Sequence, residues 1–253
     1  MASSTPASTK RKAGDTIEAS PAAKKISTDI RAVEADGFLF DGEVVSILVG
    51  PHGKKFTLHV DPLCSSSDYF KHMLRSSATF LESAKHEVKL LEQSPRVFQL
   101  YAQYLYQGKI FSKPGPTVPS SNGEVPLMTE TTLLLTAISL ADYLQDDDFH
   151  NSVIDCLIAR SLQTNAWPTT DDSITLSLSS GSSFLVDLIR DFCIYGAHEG
   201  WWTNGNVTGE THGEFWASVA RGMAKLLKGG GRPSKWVPKN CDYHRHKDGK
   251  RCD

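Results

Sequence analysis

The apolar positions change period several times along the chain, and each change marks an element. From Val44 to Val49 the residues Val-Val-Ser-Ile-Leu-Val are β-rich and nearly all apolar, as in a buried strand. Pro51-His52-Gly53-Lys54 supplies turn chemistry and Phe56-Thr57-Leu58-His59 a second short strand, so the pair predicts a hairpin. Asp61-Pro62 opens a helical stretch that carries Leu63, Tyr69, Phe70, Met73 and Leu74 for burial. Val88-Lys89-Leu90-Leu91 is a third strand. Ser94-Pro95 starts a helix with a capping hydroxyl and a proline at its first position. Val97, Phe98, Tyr101, Tyr104 and Leu105 keep helical spacing on one face, and Gly108 ends it.

Residues 113–126 are rich in Pro, Gly and Ser and predict a surface loop. Two helices follow, near residues 131–144 and 148–162. Leu134, Leu135, Ile138 and Ala141 face the core in the first, and Phe149, Val153, Ile154, Leu157 and Ile158 in the second. Past Trp167-Pro168 the composition shifts to Thr, Asp and Ser, a candidate boundary. Phe184, Leu185, Leu188, Ile189 and Phe192 form an amphipathic stripe. Thr211-His212-Gly213-Glu214 fits a capping box ahead of a helix whose apolar face is Phe215, Trp216, Val219, Met223, Leu226 and Leu227. Gly229-Gly230-Gly231 stops that helix. These last helices need a docking surface, because isolated helices are marginal in water.

Composition narrows the class. At 253 residues, 40% hydrophobic and 22% charged, the chain suits one medium domain with appendages. A net charge of −2 offers no overall field for gripping nucleic acid. The first 25 residues hold no apolar core of the kind a secretory leader needs, and the apolar stretch 133–141 is too short to span a membrane. Five cysteines, at 64, 156, 193, 241 and 252, are sparse and odd in number, which predicts reduced thiols in the nucleus or cytoplasm. The sequon Asn206-Val207-Thr208 then reads as a chance match. The polar N-terminal residues predict disorder, and Lys10-Arg11-Lys12 and Lys24-Lys25, separated by eleven residues, suit a bipartite nuclear-import signal. The alternative is a merely solubilising tail.

Taken in order, several short stretches resemble the BTB/POZ family, in particular its short fungal members. They are Val49-Gly50, Phe56-x-x-His59 with Leu63, Ser67-Asp68-Tyr69-Phe70 and Phe80-Leu81-Glu82-Ser83. Val88 and Leu90, Pro95 and Phe98, and Leu105-Tyr106-Gln107-Gly108-Lys109-Ile110 complete the set. The resemblance implies an α+β fold, a small three-stranded sheet capped by helical hairpins, with a short strand after Gly108 and extra C-terminal helices. It also implies a role in protein–protein assembly. Two departures stand out: Val44 occupies a place where many members have Asp, and Val60 a place that is often basic. They weaken any charged groove of the transcription-repressor kind. A stretch poor in apolar residues before the first strand gives strand-exchanged homodimerisation little support. The expected organisation is a disordered tail over residues 1–40 and a BTB/POZ-like domain over 41–165 with a loop insert at 112–130. A helical extension over 166–230 and a Cys/His-containing tail over 231–253 follow.

Catalytic patterns are missing. No G-x-S-x-G elbow, phosphate-cradling glycine loop or H-E-x-x-H pair occurs. Cys64 and Cys156 read as buried inert thiols, His59 as a core-edge histidine satisfied by a neighbour, and Asp146-Asp147-Asp148 as a polar turn with helix-start charges. The tail differs. Cys241, His244, His246 and Cys252 bring two sulfurs and two imidazoles within a dozen residues, a donor set that matches tetrahedral zinc. His244 and His246, two apart, cannot share a helix face, so a loop or hairpin is required, and Asp248-Gly249 permits the reversal. Short fungal BTB proteins carry a similar Cys-x-Tyr-His-x-His tail. A packing role with Tyr243 and a flexible tail remain open beside the metal site. Arg245, Lys247, Lys250 and Arg251 are too few for a nucleic-acid role without a recognition helix. The sequence thus predicts a non-enzymatic interaction adaptor. Its expected partner is a cullin in a ubiquitin ligase or, alternatively, nuclear factors that it would regulate or scaffold. A zinc-stabilised binding module in the tail is the third reading.

Overall fold

A single strand organises the sheet. In the computed structural model, which describes residues 41–75, 87–115, 128–196, 212–231, 236–246 and 252, strand β1 (Val44–Val49) lies between two partners. Strand β2 (Lys54–His59) returns antiparallel, with Val44 opposite His59 and Val49 opposite Lys54. Strand β3 (Glu87–Leu90) runs parallel to β1, with Ser46 opposite Glu87. The two-residue period then sorts the side chains. Val45, Ile47, Val49, Phe56, Leu58, Val88 and Leu90 turn inward and are buried, while Lys55, Thr57 and Lys89 stay outside. Gly50 leaves β1 at φ +79° with its N–H donating to Leu90 O at 3.1 Å, and a Cβ there would meet Pro95 Cγ at 2.7 Å. Only glycine fits that corner.

Eight α-helices accompany this sheet among the described residues. Helices α1 (Val60–Ser66) and α2 (Asp68–Arg75) are split at Ser67, which adopts an extended conformation. Its buried hydroxyl donates to Leu144 O and accepts from Phe70 N–H, so the break between the two helices is itself hydrogen-bonded. Helix α3 (Pro95–Gln107) follows β3, and α4 (Glu130–Leu144) and α5 (Asp147–Thr164) form the next hairpin. Edge-to-face rings carry the core from sheet to helices: Phe56 to Phe98 at 5.0 Å, and Tyr101 to Phe149 at 4.9 Å. Helices α6 (Asp171–Ser179), α7 (Ser183–Gly196) and α8 (Gly213–Lys228) continue the same hydrophobic cluster through Ile174, Leu188, Phe192 and Val219. Beyond α8 the described residues include a 3₁₀ turn (Asn240–Tyr243).

Several expectations shift. The first helix begins at Val60, which places Pro62 third rather than first. Ser94 stands at the cap position of α3, yet its hydroxyl makes no cap bond. The short strand expected after Gly108 does not form. That segment is instead tied through Ser112, whose hydroxyl donates to Glu130 Oε1 at 2.9 Å at the start of α4. The Thr/Asp/Ser stretch after Pro168 holds a full helix, α6, capped by Thr170 Oγ1 accepting from Ser173 N–H. Helix α8 has His212 at its cap in left-handed conformation with no side-chain cap bond, and Glu214 falls one position early for a capping box. Leu227 is 77% exposed, because Leu226 takes the inward position and the next residue turns about 100° away. The N-terminal tail with its basic clusters, Phe80-Leu81-Glu82-Ser83, most of the loop insert, Asn206, Thr211, Lys247 to Lys250 and Arg251 lie outside the described residues.

Candidate interaction domain and Cys/His cluster

The tail is seated on two helices by side chains of ordinary chemistry. Trp236 stacks flat on Tyr195 of α7, with ring centroids 4.5 Å apart and planes 8° from parallel, and Phe192 meets it edge-on at 6.0 Å. Tyr243 is buried and its hydroxyl donates to Asp191 Oδ2 at 2.8 Å; desolvation, then that carboxylate, raises its ionisation well above the usual range. On α5, Asn151 clasps the Arg245 backbone from both sides, accepting its N–H at 2.8 Å and donating to its carbonyl at 2.9 Å. The Arg245 guanidinium pairs with Asp142 and reaches Asp147 at 3.7 Å. That pairing commits Arg245 to carboxylates rather than to phosphate.

The same seat gathers the four residues singled out from the sequence. Residues 244–246 lie outside any helix, in keeping with the loop their spacing requires, and His244 is extended. Cys241 Sγ lies 3.4 Å from His246 Nε2, Cys252 Sγ lies 3.9 Å from the same nitrogen, and His244 Nδ1 lies 3.2 Å from Cys252 Sγ. The donor atoms of Cys241, His246 and Cys252 fall within 4.8 Å of one another. The Cys252 N–H donates to Cys241 Sγ at 3.1 Å. His244 is buried and turns its other nitrogen, Nε2, to Asp155 Oδ1 at 2.8 Å, and Asn240 donates to that same oxygen at 2.6 Å. Asp155 sits four residues after Asn151, so one face of α5 carries both anchors. Neither Asn151 nor Asp155 is visible as a tail partner from sequence, since nothing local ties them to residues about ninety positions later.

Two further histidines are hydrogen-bonded, and the other three cysteines have thiols raised by burial. His59 Nδ1 faces the Tyr106 hydroxyl at 2.8 Å, at the edge of the core. His150 is fully buried with Nε2 on Ser182 Oγ at 2.9 Å; burial, aided by the Arg245 charge, lowers its pKa to about 4. Burial raises the thiols of Cys64 and Cys156, and pushes Cys193 up to about 12. Two open grooves, of about 580 and 540 Å³, are lined mainly by Thr, Trp167 and Pro168 in one case and by Arg190, Tyr195 and Arg221 in the other. Neither is lined by a cysteine or a histidine.

The element order completes the picture: a hairpin, a broken helix pair, a parallel third strand, a helix and a helical hairpin. The family model for the BTB/POZ domain matches residues 37–159. The chain carries a BTB/POZ domain. The BTB/POZ domain is a protein–protein interaction module, and its motifs take structural positions here: Phe56, Leu63, Phe70 and Phe98 fill the core, and Gly50 makes the corner against Pro95. No curated protein matches the chain. The matched residues stop within α5, so the tail lies beyond the BTB/POZ domain while its anchors Asp142, Asn151 and Asp155 lie inside it.

Proposed function

We propose that this chain is a non-enzymatic adaptor whose BTB/POZ domain binds a cullin-type ubiquitin-ligase scaffold. The match over residues 37–159 carries the reading. Two further observations support it. Tyr69 of α2 and Tyr143 of α4 set their rings 5.2 Å apart, and Tyr143 stays 47% exposed, an aromatic pair of the kind that anchors protein interfaces. The raised thiols and the paired histidines speak for packing rather than for an activated nucleophile.

Affinity purification of the full chain with quantitative mass spectrometry tests this. A cullin should be enriched with the wild-type chain, and Tyr143→Ala, a surface change, should reduce that enrichment about tenfold or more. Recovery of nuclear regulatory factors with no cullin would replace the adaptor with a nuclear scaffold, the role that Lys10-Arg11-Lys12 and Lys24-Lys25 would serve by directing import.

A further inference from the structure

We propose that Cys241, His244, His246 and Cys252 hold a structural zinc ion, with Asp155 of α5 as the carboxylate behind His244. The site goes beyond the adaptor reading and is independent of any partner. Zinc–sulfur bonds of about 2.3 Å and zinc–nitrogen bonds of about 2.0–2.1 Å set the sulfur–nitrogen edge of a tetrahedron at about 3.6 Å. The two separations from His246, 3.4 and 3.9 Å, straddle that edge. His244 Nδ1 lies 3.2 Å from Cys252 Sγ but outside the compact group of the other three donors, so it would close in on the ion as the fourth ligand. Two thiols and two imidazoles are a soft donor set, suited to zinc and unsuited to magnesium or calcium.

The surroundings settle which atoms bind. His244 gives Nε2 to Asp155 Oδ1 at 2.8 Å, which leaves Nδ1 facing Cys252. A histidine ligand that donates its other N–H to a carboxylate has its tautomer and ring orientation fixed in advance. His246 presents Nε2 to both sulfurs. The backbone N–H of Cys252 points at Cys241 Sγ, where it would neutralise part of a thiolate charge. Four protein donors leave no open position for water or substrate, so the ion would hold structure and perform no chemistry. Its effect would be mechanical: Asp155 belongs to the BTB/POZ domain, and the metal would fasten the last residues of the chain to it. Binding and docking of the tail would then be coupled, because His244 takes its ring orientation from Asp155.

The test uses the full chain, expressed with zinc in the medium and purified under reducing conditions without chelator. Elemental analysis should find zinc in equal amount to protein. Replacing it by cobalt(II) should give intense tetrahedral d–d bands with thiolate charge transfer. Cys241→Ser and Cys252→Ser should each lose the ion, and Asp155→Asn, which keeps all four donors, should weaken zinc about 10–100-fold in competition with a chromophoric chelator. The proposal fails if the reduced wild-type chain is metal-free and gives no tetrahedral cobalt spectrum. It fails equally if Cys252→Ser binds as wild type does, or if a Cys241–Cys252 disulfide proves to be the native state. The wild-type metal content and cobalt spectrum decide the matter even if a serine variant does not fold.

Discussion

Asp146 and His150 stand four residues apart at the start of α5, both without exposed surface, and they illustrate how little burial alone says about a polar residue. Asp146 caps α5 by accepting from Phe149 N–H at 2.9 Å, and it also accepts from Ser66 of α1 and from the Tyr101 hydroxyl of α3 at 3.1 Å. One carboxylate thus joins three helices. Desolvation raises its pKa although all three donors oppose the change. His150 is held neutral by burial and by Arg245, which lowers its pKa to about 4. Protons therefore favour the unfolded chain, where a histidine titrates near 6.5, and the stability due to neutral His150 is present above that value. It is lost as pH falls from about 6.5 towards 4. Between pH 7 and pH 5 this amounts to about 2 kcal/mol. Urea denaturation at the two pH values should show the wild-type chain losing that much more stability than His150→Gln. Asp146 acts in the opposite sense, and the comparison with the variant cancels it.

Among the elements, strong periodicity was readable and weak propensity was not. The hairpin, β3, α3, α4 and α5 fall where the apolar pattern puts them, because each buries a continuous stripe. Helix α6 was hidden by its composition: of its nine residues only Ile174 is a large apolar side chain in the core, among Ser and Thr that favour turns. Its start was nonetheless marked by Thr170 followed by two acids. Caps were the least legible feature, since a hydroxyl at the right position does not guarantee the bond. Thermal or urea unfolding should therefore separate two alanine substitutions. Thr170→Ala removes a cap that is made and should cost about 1 kcal/mol, whereas Ser94→Ala removes none and should stay within about 0.5 kcal/mol of wild type. In the tail, the four donor residues were legible from residue type and spacing. Asp155, Asn151 and Asp142 were not, because helix α5 and the end of α4 come near the tail only through the fold.

At the level of the whole molecule, the BTB/POZ domain and the folding unit differ in extent. The described residues fall in one compact unit, and the buried cluster runs unbroken from Val45 to Tyr243. Ile174 on α6 and Leu185, Leu188 and Phe192 on α7 are as fully buried as the sheet residues. A fragment ending at residue 165 would expose the faces they cover. It should aggregate, or bind a hydrophobic dye strongly, on size-exclusion chromatography and fluorescence, while the full chain does neither.

The central position of β1 also orders the assembly of the sheet in time. Its antiparallel neighbour follows after a four-residue turn, within reach of a chain that has barely begun to collapse, whereas its parallel neighbour enters after a crossover that must first be wound into α1 and α2. Forming the hairpin takes about 1–10 microseconds, and the far pairing waits on loop entropy that only packed helices repay. One flank of Ile47 is therefore protected early in folding and the other late, so the sheet is complete only when the helices that rest on it already exist.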